Sequence, residues 1–177
     1  DGVPIGVHRE YDSLGRVVSS KQYDRDGNLI AEGILDQEGN RVGSWVYYYD
    51  GGNNILKAKG NFKNNRRFGE WIFYYTNGSV EQKGMFTNGR LTNKWVWYYE
   101  NGSVKREEEY LNGKENGLST EFDEYGNIIA QGNFTDGKKT GEWFYNYGYH
   151  NQRGKYVDGY RDGQWVYNYK NGKLFYF

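Results

Sequence analysis

The sequence predicts an all-β protein: an elongated, twisted, single-layer antiparallel β-meander built from tandem β-hairpin repeats of about 24 residues. Three observations predict it: alternating aromatic residues, Asn-Gly turns and a fixed period. In residues 68–89, aromatic side chains alternate from Trp71 to Tyr75, an Asn-Gly pair supplies a turn, and a second alternating run ends at Phe86. This order is typical of a β-hairpin followed by the connection to the next hairpin.

A turn centred on the Asn77-Gly78 pair predicts the register of this hairpin. Tyr75 would pair with Val80, and Trp71 would lie directly opposite Gly84. A large ring fits over a glycine because the missing side chain leaves room for the indole to lie flat on the neighbouring strand. We therefore expect contacts between tryptophan and glycine to be the repeated unit of packing.

The same unit recurs along the chain. Its Gly-x-Trp position falls, in order, at Trp45, Trp71, Trp95, Ser119, Trp143 and Trp165. Asn93 replaces the first glycine in one copy, and Ser119 replaces the tryptophan in another. Residues 1–42 keep the turns but lack tryptophan, so we expect degenerate N-terminal repeats or a cap there. Residues 43–177 carry the regular repeats, and we expect residues 1–177 to form one continuous repeat domain.

The composition limits both the core and the partners. Hydrophobic residues are 36% of the chain and the mean hydropathy is −1.02, with Tyr 19, Phe 9 and Trp 6. Burial must therefore come mostly from rings held close to the backbone. Lys+Arg and Asp+Glu are both 23, so no net charge draws the chain to nucleic acid or to an anionic bilayer. The absence of cysteine excludes disulfides and thiolate chemistry, and no apolar run is long enough for a membrane span.

The two ends of the chain raise expectations about its context. The chain begins with Asp1 rather than methionine, so we expect a processed or excised segment. Together with the absence of cysteine, this is compatible with the periplasm or the cell surface, while the sequence itself names no compartment. At the other end, residues 173–177 are predicted to form an apolar edge strand. Such an edge invites pairing with a partner, a further domain or a longer natural chain.

One recurring aromatic position suggests a binding surface. One side of the predicted ribbon carries the tryptophans, and the other is largely solvated but carries a ring in each repeat, at Tyr48, Tyr74, Tyr98 and Phe122. Two interpretations stay open. The rings cover neighbouring strands, or they supply rigid contact area at low entropic cost to a protein partner. We take these four as candidate binding residues and predict a protein partner.

Residues able to carry catalysis or bind a metal do not form a recognisable site. His8 and His150 stand outside any metal or relay spacing and are expected in exposed loops. The run Glu107–Glu109 alternates between faces, which predicts a solvated edge rather than a carboxylate cluster. The acidic segment that begins at Asp24 lacks the distal glutamate of a calcium loop and is interpreted as a turn. We therefore predict no catalytic residue, no metal, no cofactor and no enzymatic activity.

The full pattern, Gly-x-Trp-x-Tyr/Phe-Tyr-x-x-Asn-Gly followed by Gly-x-Phe-x-x-Gly, resembles the variant MORN repeat of bacterial YwqK-type proteins often labelled antitoxins. The resemblance covers nearly the whole chain and is strongest over residues 43–172. It implies a stack of antiparallel hairpins used as a binding scaffold, with antitoxin or immunity roles attributed to some members, and it offers no catalytic residue. We predict a scaffold for protein–protein interaction, as an antitoxin, an immunity-like protein or an accessory subunit of a larger complex.

The first half of the pattern also resembles choline-binding and other cell-wall-binding repeats. In those repeats, aromatic residues from neighbouring hairpins cage a ligand. This second resemblance implies an alternative function, a glycan- or cell-wall-binding module that uses stacked aromatics. The Gly-x-Phe-x-x-Gly half fits the MORN pattern better.

Overall fold

The computed structural model describes residues 2–176 of the chain. These residues form fifteen β-strands and no helix, which confirms the all-β prediction. In chain order the strands are β1 (Gly6–Tyr11), β2 (Val17–Tyr23), β3 (Leu29–Leu35), β4 (Arg41–Tyr48), β5 (Leu56–Lys63), β6 (Arg66–Tyr74), β7 (Val80–Thr87), β8 (Arg90–Tyr98), β9 (Val104–Leu111), β10 (Lys114–Phe122), β11 (Ile128–Thr135), β12 (Lys138–Asn146), β13 (His150–Val157), β14 (Tyr160–Tyr169) and β15 (Leu174–Tyr176).

The strands belong to two compact units, Asp1–Arg90 and Leu91–Phe177. In the first unit, the strands β1 to β7 pair antiparallel with one another in chain order. In the second unit, strands β8 to β15 do the same. Each unit is thus an antiparallel meander of hairpins, as predicted, because short turns permit pairing only with the adjacent antiparallel strand. The division between residues 42 and 43 stays a prediction.

Tryptophans that lie flat on glycines form the core of each unit. Trp71 is 0% exposed, and a Cβ added to Gly60 in the preceding strand would lie 2.3 Å from its Cδ2 atom. The same contact joins Trp45 to Gly33, Trp143 to Gly132 and Trp165 to Gly154. The predicted register between Trp71 and Gly84 is confirmed. Trp71 also pairs with Gly60, and this second partner is the glycine that its ring covers.

A β-bulge precedes the tryptophan in the regular repeats and satisfies its indole. Gly69 has φ +68°, and the register between β5 and β6 shifts beside Asn61. The shift leaves the Asn61 carbonyl free to accept a 3.0 Å hydrogen bond from Nε1 of Trp71, as a buried indole requires. Asn93 has φ +57° at the equivalent point. Asparagine tolerates this left-handed conformation better than most residues, so Asn93 is a conservative replacement for glycine.

The hairpin turns differ in register from the prediction. The amide of Tyr75 donates to the carbonyl of Ser79 at 2.9 Å, and the amide of Gly78 donates to the carbonyl of Tyr75 at 2.9 Å. Tyr74, rather than Tyr75, pairs with Val80. The predicted pair was wrong because the register shifts next to the turn, a bulge of the kind that accompanies longer hairpin loops.

The C-terminal strand β15 pairs with β14 through Val166, Tyr167 and Asn168. The predicted edge strand is therefore present from Leu174 to Tyr176, while Phe177 lies outside the described residues. Pairing of this edge with a partner stays a prediction.

Candidate binding surfaces

The sheet of each unit has two faces, because side chains alternate along a strand. The tryptophan face carries the buried tryptophans, Trp45 and Trp71 in the first unit and Trp95, Trp143 and Trp165 in the second. The opposite face carries the candidate binding residues, Tyr48 and Tyr74 in the first unit and Tyr98 and Phe122 in the second.

All four candidate binding residues are half-buried. The hydroxyl of Tyr48 donates to the carboxylate of Glu32. Burial, and then this hydrogen bond, raises the pKa of Tyr48 to about 12, so the hydroxyl stays protonated and keeps its donor role. Lys59 Nζ lies 5.7 Å from the ring centroid of Tyr74. In the first unit, neighbouring strands therefore restrain both rings while part of each remains open to solvent.

A second tyrosine, which the sequence reasoning missed, ties neighbouring repeats together. The Tyr49 hydroxyl donates to the main-chain carbonyl of Tyr74 at 2.6 Å, and the Tyr99 hydroxyl donates to that of Phe122 at 2.8 Å. Each of these tyrosines directly follows a candidate binding residue, so the recurring Tyr-Tyr pair was a signal that could have identified it. The hydrogen bonds fix the backbone at Tyr74 and Phe122.

A cation lies over most of the buried tryptophans, which the sequence reasoning also missed. Arg41, Arg67, Lys139 and Arg161 stand at the same offset before Trp45, Trp71, Trp143 and Trp165 and lie 5.4, 4.6, 4.3 and 4.0 Å from their ring centroids. Such contacts are attractive because the face of an aromatic ring is electronegative. The tryptophan face is therefore covered by cations rather than bare.

The predicted solvated edge at Glu107–Glu109 was wrong for its central residue. Glu108 is 5% exposed and pairs in register with Ser119. Its carboxylate accepts hydrogen bonds from Ser119 Oγ at 3.1 Å and Tyr110 Oη at 2.7 Å and lies 3.6 Å from Arg106. Burial and the Glu108 hydrogen bond raise the pKa of Tyr110 well above its ordinary value. A polar pair thus occupies the place of the tryptophan and glycine in this repeat.

The two histidines lie in strands rather than in loops. His8 is exposed in β1, whereas His150 is half-buried in β13. The ring of His150 has four tyrosine neighbours at centroid distances of 4.4 to 6.1 Å, namely Tyr147, Tyr149, Tyr167 and Tyr169. The expected loop position was therefore wrong for both histidines, whereas the expected exposure was confirmed for His8 and wrong for His150, because the last repeats bring these rings together around it.

A polar groove of about 610 Å³ lies in the second unit. Asn146, Asn151 and Asn168 pair in register on three adjacent strands and line it, together with Asp123 and Tyr169. Asn146 and Asn168 take the place of the aromatic that recurs on the opposite face. The amide groups therefore present donors and acceptors side by side where other repeats carry a ring.

Within residues 2–176, the structure brings together no group of three or more side chains suited to hold a metal ion. The same residues include no helix of the length and hydrophobicity needed to cross a membrane.

Comparison with known proteins identifies the repeat. Residues 69–88 and 91–112 match the family model of the MORN repeat variant, so the predicted resemblance to the variant MORN repeat is confirmed there, while the YwqK-type detail stays a prediction. No curated protein matches the chain. Among solved structures, a chain in the crystal structure of a GtfA/B complex bound to UDP and GlcNAc is similar at 13% identity and a TM-score of 0.30. The match covers 61% of this chain but only 22% of that one.

Proposed function

We propose that this chain, a scaffold of MORN-variant hairpin repeats, is a non-enzymatic protein that binds a partner protein. The proposed contacts are Tyr48 and Tyr74 on the opposite face of the first unit, and Tyr98 and Phe122 on the opposite face of the second. Two consecutive matches to the repeat model, at residues 69–88 and 91–112, support the repeat scaffold. Aromatic side chains are enriched in protein interfaces, which supports the proposal that the recurring rings contact a partner protein.

The observation that carries this proposal is that the rings are restrained but incompletely buried. Tyr48 is held by its hydrogen bond to Glu32, and the backbone of Tyr74 and of Phe122 is held by a tyrosine hydroxyl. A partner that contacts these rings would lose little side-chain entropy, because they are already ordered. If no partner binds at these rings, their role is only to cover the neighbouring strands.

Three specific roles are compatible with a protein-binding scaffold. A bacterial antitoxin, an immunity-like protein or an accessory subunit of a larger complex would each use an aromatic face of this kind. The edge strand β15 offers a second means of attachment, by adding a partner strand to the sheet. Identification of a captured partner by mass spectrometry would separate these roles.

Capture of a partner from native extract tests the face. We expect the chain to retain a protein partner and to lose it when Tyr48, Tyr74 and Tyr98 are all changed to serine. The matched control changes two tyrosines that are 92% and 79% exposed, Tyr125 and Tyr160, to serine. Both variants are checked for folding by circular dichroism. Unchanged capture by the triple variant would reject the opposite face as the binding surface.

A second candidate function, glycan or cell-wall binding, is favoured by the amide-lined groove. Amide side chains beside a tyrosine can hydrogen-bond hydroxyl groups while the ring supports an apolar sugar face. A glycan array and sedimentation with cell walls test it, because only this function predicts binding without any protein partner. We expect Asn151→Ala with Asn168→Ala to abolish such binding if it occurs, and binding that survives both changes would exclude the groove.

A further inference from the structure

The tryptophan face of the first unit carries two arginines on alternate strands, Arg41 in β4 and Arg67 in β6. Their guanidinium carbons lie 5.4 Å from the Trp45 ring and 4.6 Å from the Trp71 ring. Both arginines are half-buried. Each is therefore held at a defined place on the sheet by its ring contact.

The two arginines line the same concavity of the first unit. Burial is the main cause that lowers the pKa of Arg67; Tyr47 acts in the opposite direction, and the charge of Arg41 lowers the pKa further. Tyr47 lies near both, since their charges act on its hydroxyl. Among residues 2–176, no carboxylate forms an ion pair with Arg41 or Arg67, and neither guanidinium makes a hydrogen bond. The charges of this pair are thus uncompensated within the first unit.

The equivalent cations of the second unit, Lys139 and Arg161, both donate side-chain hydrogen bonds. Arg161 donates to Gln152 at 2.9 Å and to Tyr167 at 3.0 Å, and Lys139 donates to Tyr145 at 2.7 Å. A cation at a different position of the second unit, Arg106, lies 3.6 Å from Glu108. The same face therefore satisfies its cations in one unit and leaves the donors of Arg41 and Arg67 unused in the other. Unused guanidinium donors on a half-buried surface are what an anionic ligand would satisfy.

Two concavities meet at Arg41. One of about 340 Å³ is lined by Arg9 and Arg41 beside Trp45, and one of about 400 Å³ is lined by Arg41, Tyr47 and Arg67 beside Phe73. Asp50 and Lys57 also line the second concavity, and neither of these two side chains forms an ion pair in the described part of the chain. Cationic donors next to aromatic walls suit a ligand that combines carboxylates with apolar groups.

We propose that Arg41, Arg67 and the Tyr47 hydroxyl bind carboxylate side chains of an acidic segment in a partner protein. Arginine binds carboxylates through two parallel hydrogen bonds, which gives both affinity and orientation. Concavities of a few hundred Å³ suit individual side chains better than an extended bilayer surface, and the zero net charge of the chain gives no attraction over long distances to a polyanion. This inference rests on the proposed function in that the chain holds a protein partner, and it places an acidic segment of that partner on the tryptophan face of the first unit, in addition to the contacts on the opposite face.

The test measures fluorescence polarisation of a labelled oligoglutamate peptide, with labelled oligoglutamine as the neutral probe. We expect the protein to bind oligoglutamate but not oligoglutamine. Arg41→Gln with Arg67→Gln should weaken this binding by at least about tenfold, because each arginine loses charge-assisted hydrogen bonds to a carboxylate. The control variant, Lys63→Gln with Arg66→Gln, removes the same charge from a cross-strand pair of exposed residues next to Phe62 and Arg67. It should bind normally.

Equal weakening in the control and the double variant would overturn the proposal, because it would indicate nonspecific charge attraction. Tighter binding to phosphatidylserine vesicles or to RNA, lost with the same two arginines, would overturn the assignment to an acidic protein segment. If thermal melts show that the double variant is unfolded, Arg41→Lys replaces it, and it should weaken binding by several-fold because lysine keeps the charge but not the paired donors. Unchanged binding by Arg41→Lys then counts against the site.

The two proposals fail in different ways. A protein that binds oligoglutamate but captures no protein partner contradicts the proposed function. A protein that captures a partner equally well without Arg41 and Arg67 contradicts only this inference.

Discussion

The contact between Trp71 and Gly60 makes a sharp prediction for Gly60→Ala. A Cβ at residue 60 would lie 2.3, 2.4 and 2.5 Å from Cδ2, Cε2 and Cγ of Trp71. Carbon atoms pack best at roughly 3.5–4.0 Å, so the ring would have to move by more than about 1 Å. Gly60 has no positive φ, so the added methyl group would strain only this packing and not the backbone.

The surroundings of Trp71 set the size of the effect. The ring is fully buried, and it is bounded by Phe62 at 5.1 Å and by Arg67 at 4.6 Å, so it has nowhere to move without exposing itself or separating β5 from β6. Overpacking typically costs about 1–3 kcal/mol, and complete loss of a buried tryptophan costs about 3–5 kcal/mol. We expect Gly60→Ala to lower the free energy of unfolding by about 2–4 kcal/mol.

Urea unfolding followed by circular dichroism measures this cost in two backgrounds. In Trp71→Ala the obstructing ring is absent, so Gly60→Ala should cost under about 1 kcal/mol there. The difference between the two backgrounds isolates the contact from any general effect of alanine in β5. Equal costs in both backgrounds, or a cost below about 0.5 kcal/mol in the native background, would refute the role of this glycine.

Three further predictions test other parts of the structure. Glu108→Gly and Ser119→Trp, each made alone, should lower the free energy of unfolding by about 2 kcal/mol. The double variant rebuilds the contact of a tryptophan with a glycine, so its loss in urea unfolding should be smaller than the sum of the two single losses by at least about 1 kcal/mol. Strict additivity of the two losses would contradict this prediction. Asn93→Gly should leave the melting temperature nearly unchanged, whereas Asn93→Val should lower stability by about 1–2 kcal/mol, because a β-branched residue opposes a positive φ. The side chain of Asn28, followed by main-chain amides, lowers the pKa of Asp24 below 3.8, so this turn contributes stability that is complete above 3.8 and lost as the pH falls through the lower folded value. Asp24→Asn should therefore lower the melting temperature near neutral pH and have no effect at the acid end, and a loss that is equal at both ends would contradict the pKa argument.

Local pattern predicted much of the fold. Alternation and Asn-Gly turns predicted the hairpins, and the register of Trp71 with Gly84 was confirmed. The pair between Tyr75 and Val80 was wrong, because the bulge at the turn depends on hydrogen bonds of the loop rather than on alternation. The burial of Glu108 could have been predicted from the repeat, because Glu108 stands where the other repeats have the covered glycine. Alternation alone predicts only the face on which a side chain lies.

The binding surfaces were predicted less completely. The positions of Tyr48, Tyr74, Tyr98 and Phe122 could be found from their recurrence, but their restraints could not, because Glu32 and the second tyrosine of each pair act across strands. The sequence could not predict that Arg41 and Arg67 have no hydrogen-bond or ion-pair partner within residues 2–176, because Lys139 and Arg161 stand at the same offset from a tryptophan.

The sequence by itself determined the strands, the turns and the face on which each side chain lies, because these follow from the two-residue period and from glycine and asparagine at turn positions. Only the tertiary structure decided that the Trp71 ring covers Gly60 and that Glu108 replaces a glycine as a buried partner of Ser119. It also decided that Lys139 and Arg161 have hydrogen-bond partners, whereas the guanidinium groups of Arg41 and Arg67 have none within residues 2–176. The physical reason is that a strand has two neighbours in register. Alternation places a side chain opposite both of them, and packing across the sheet selects which one it contacts.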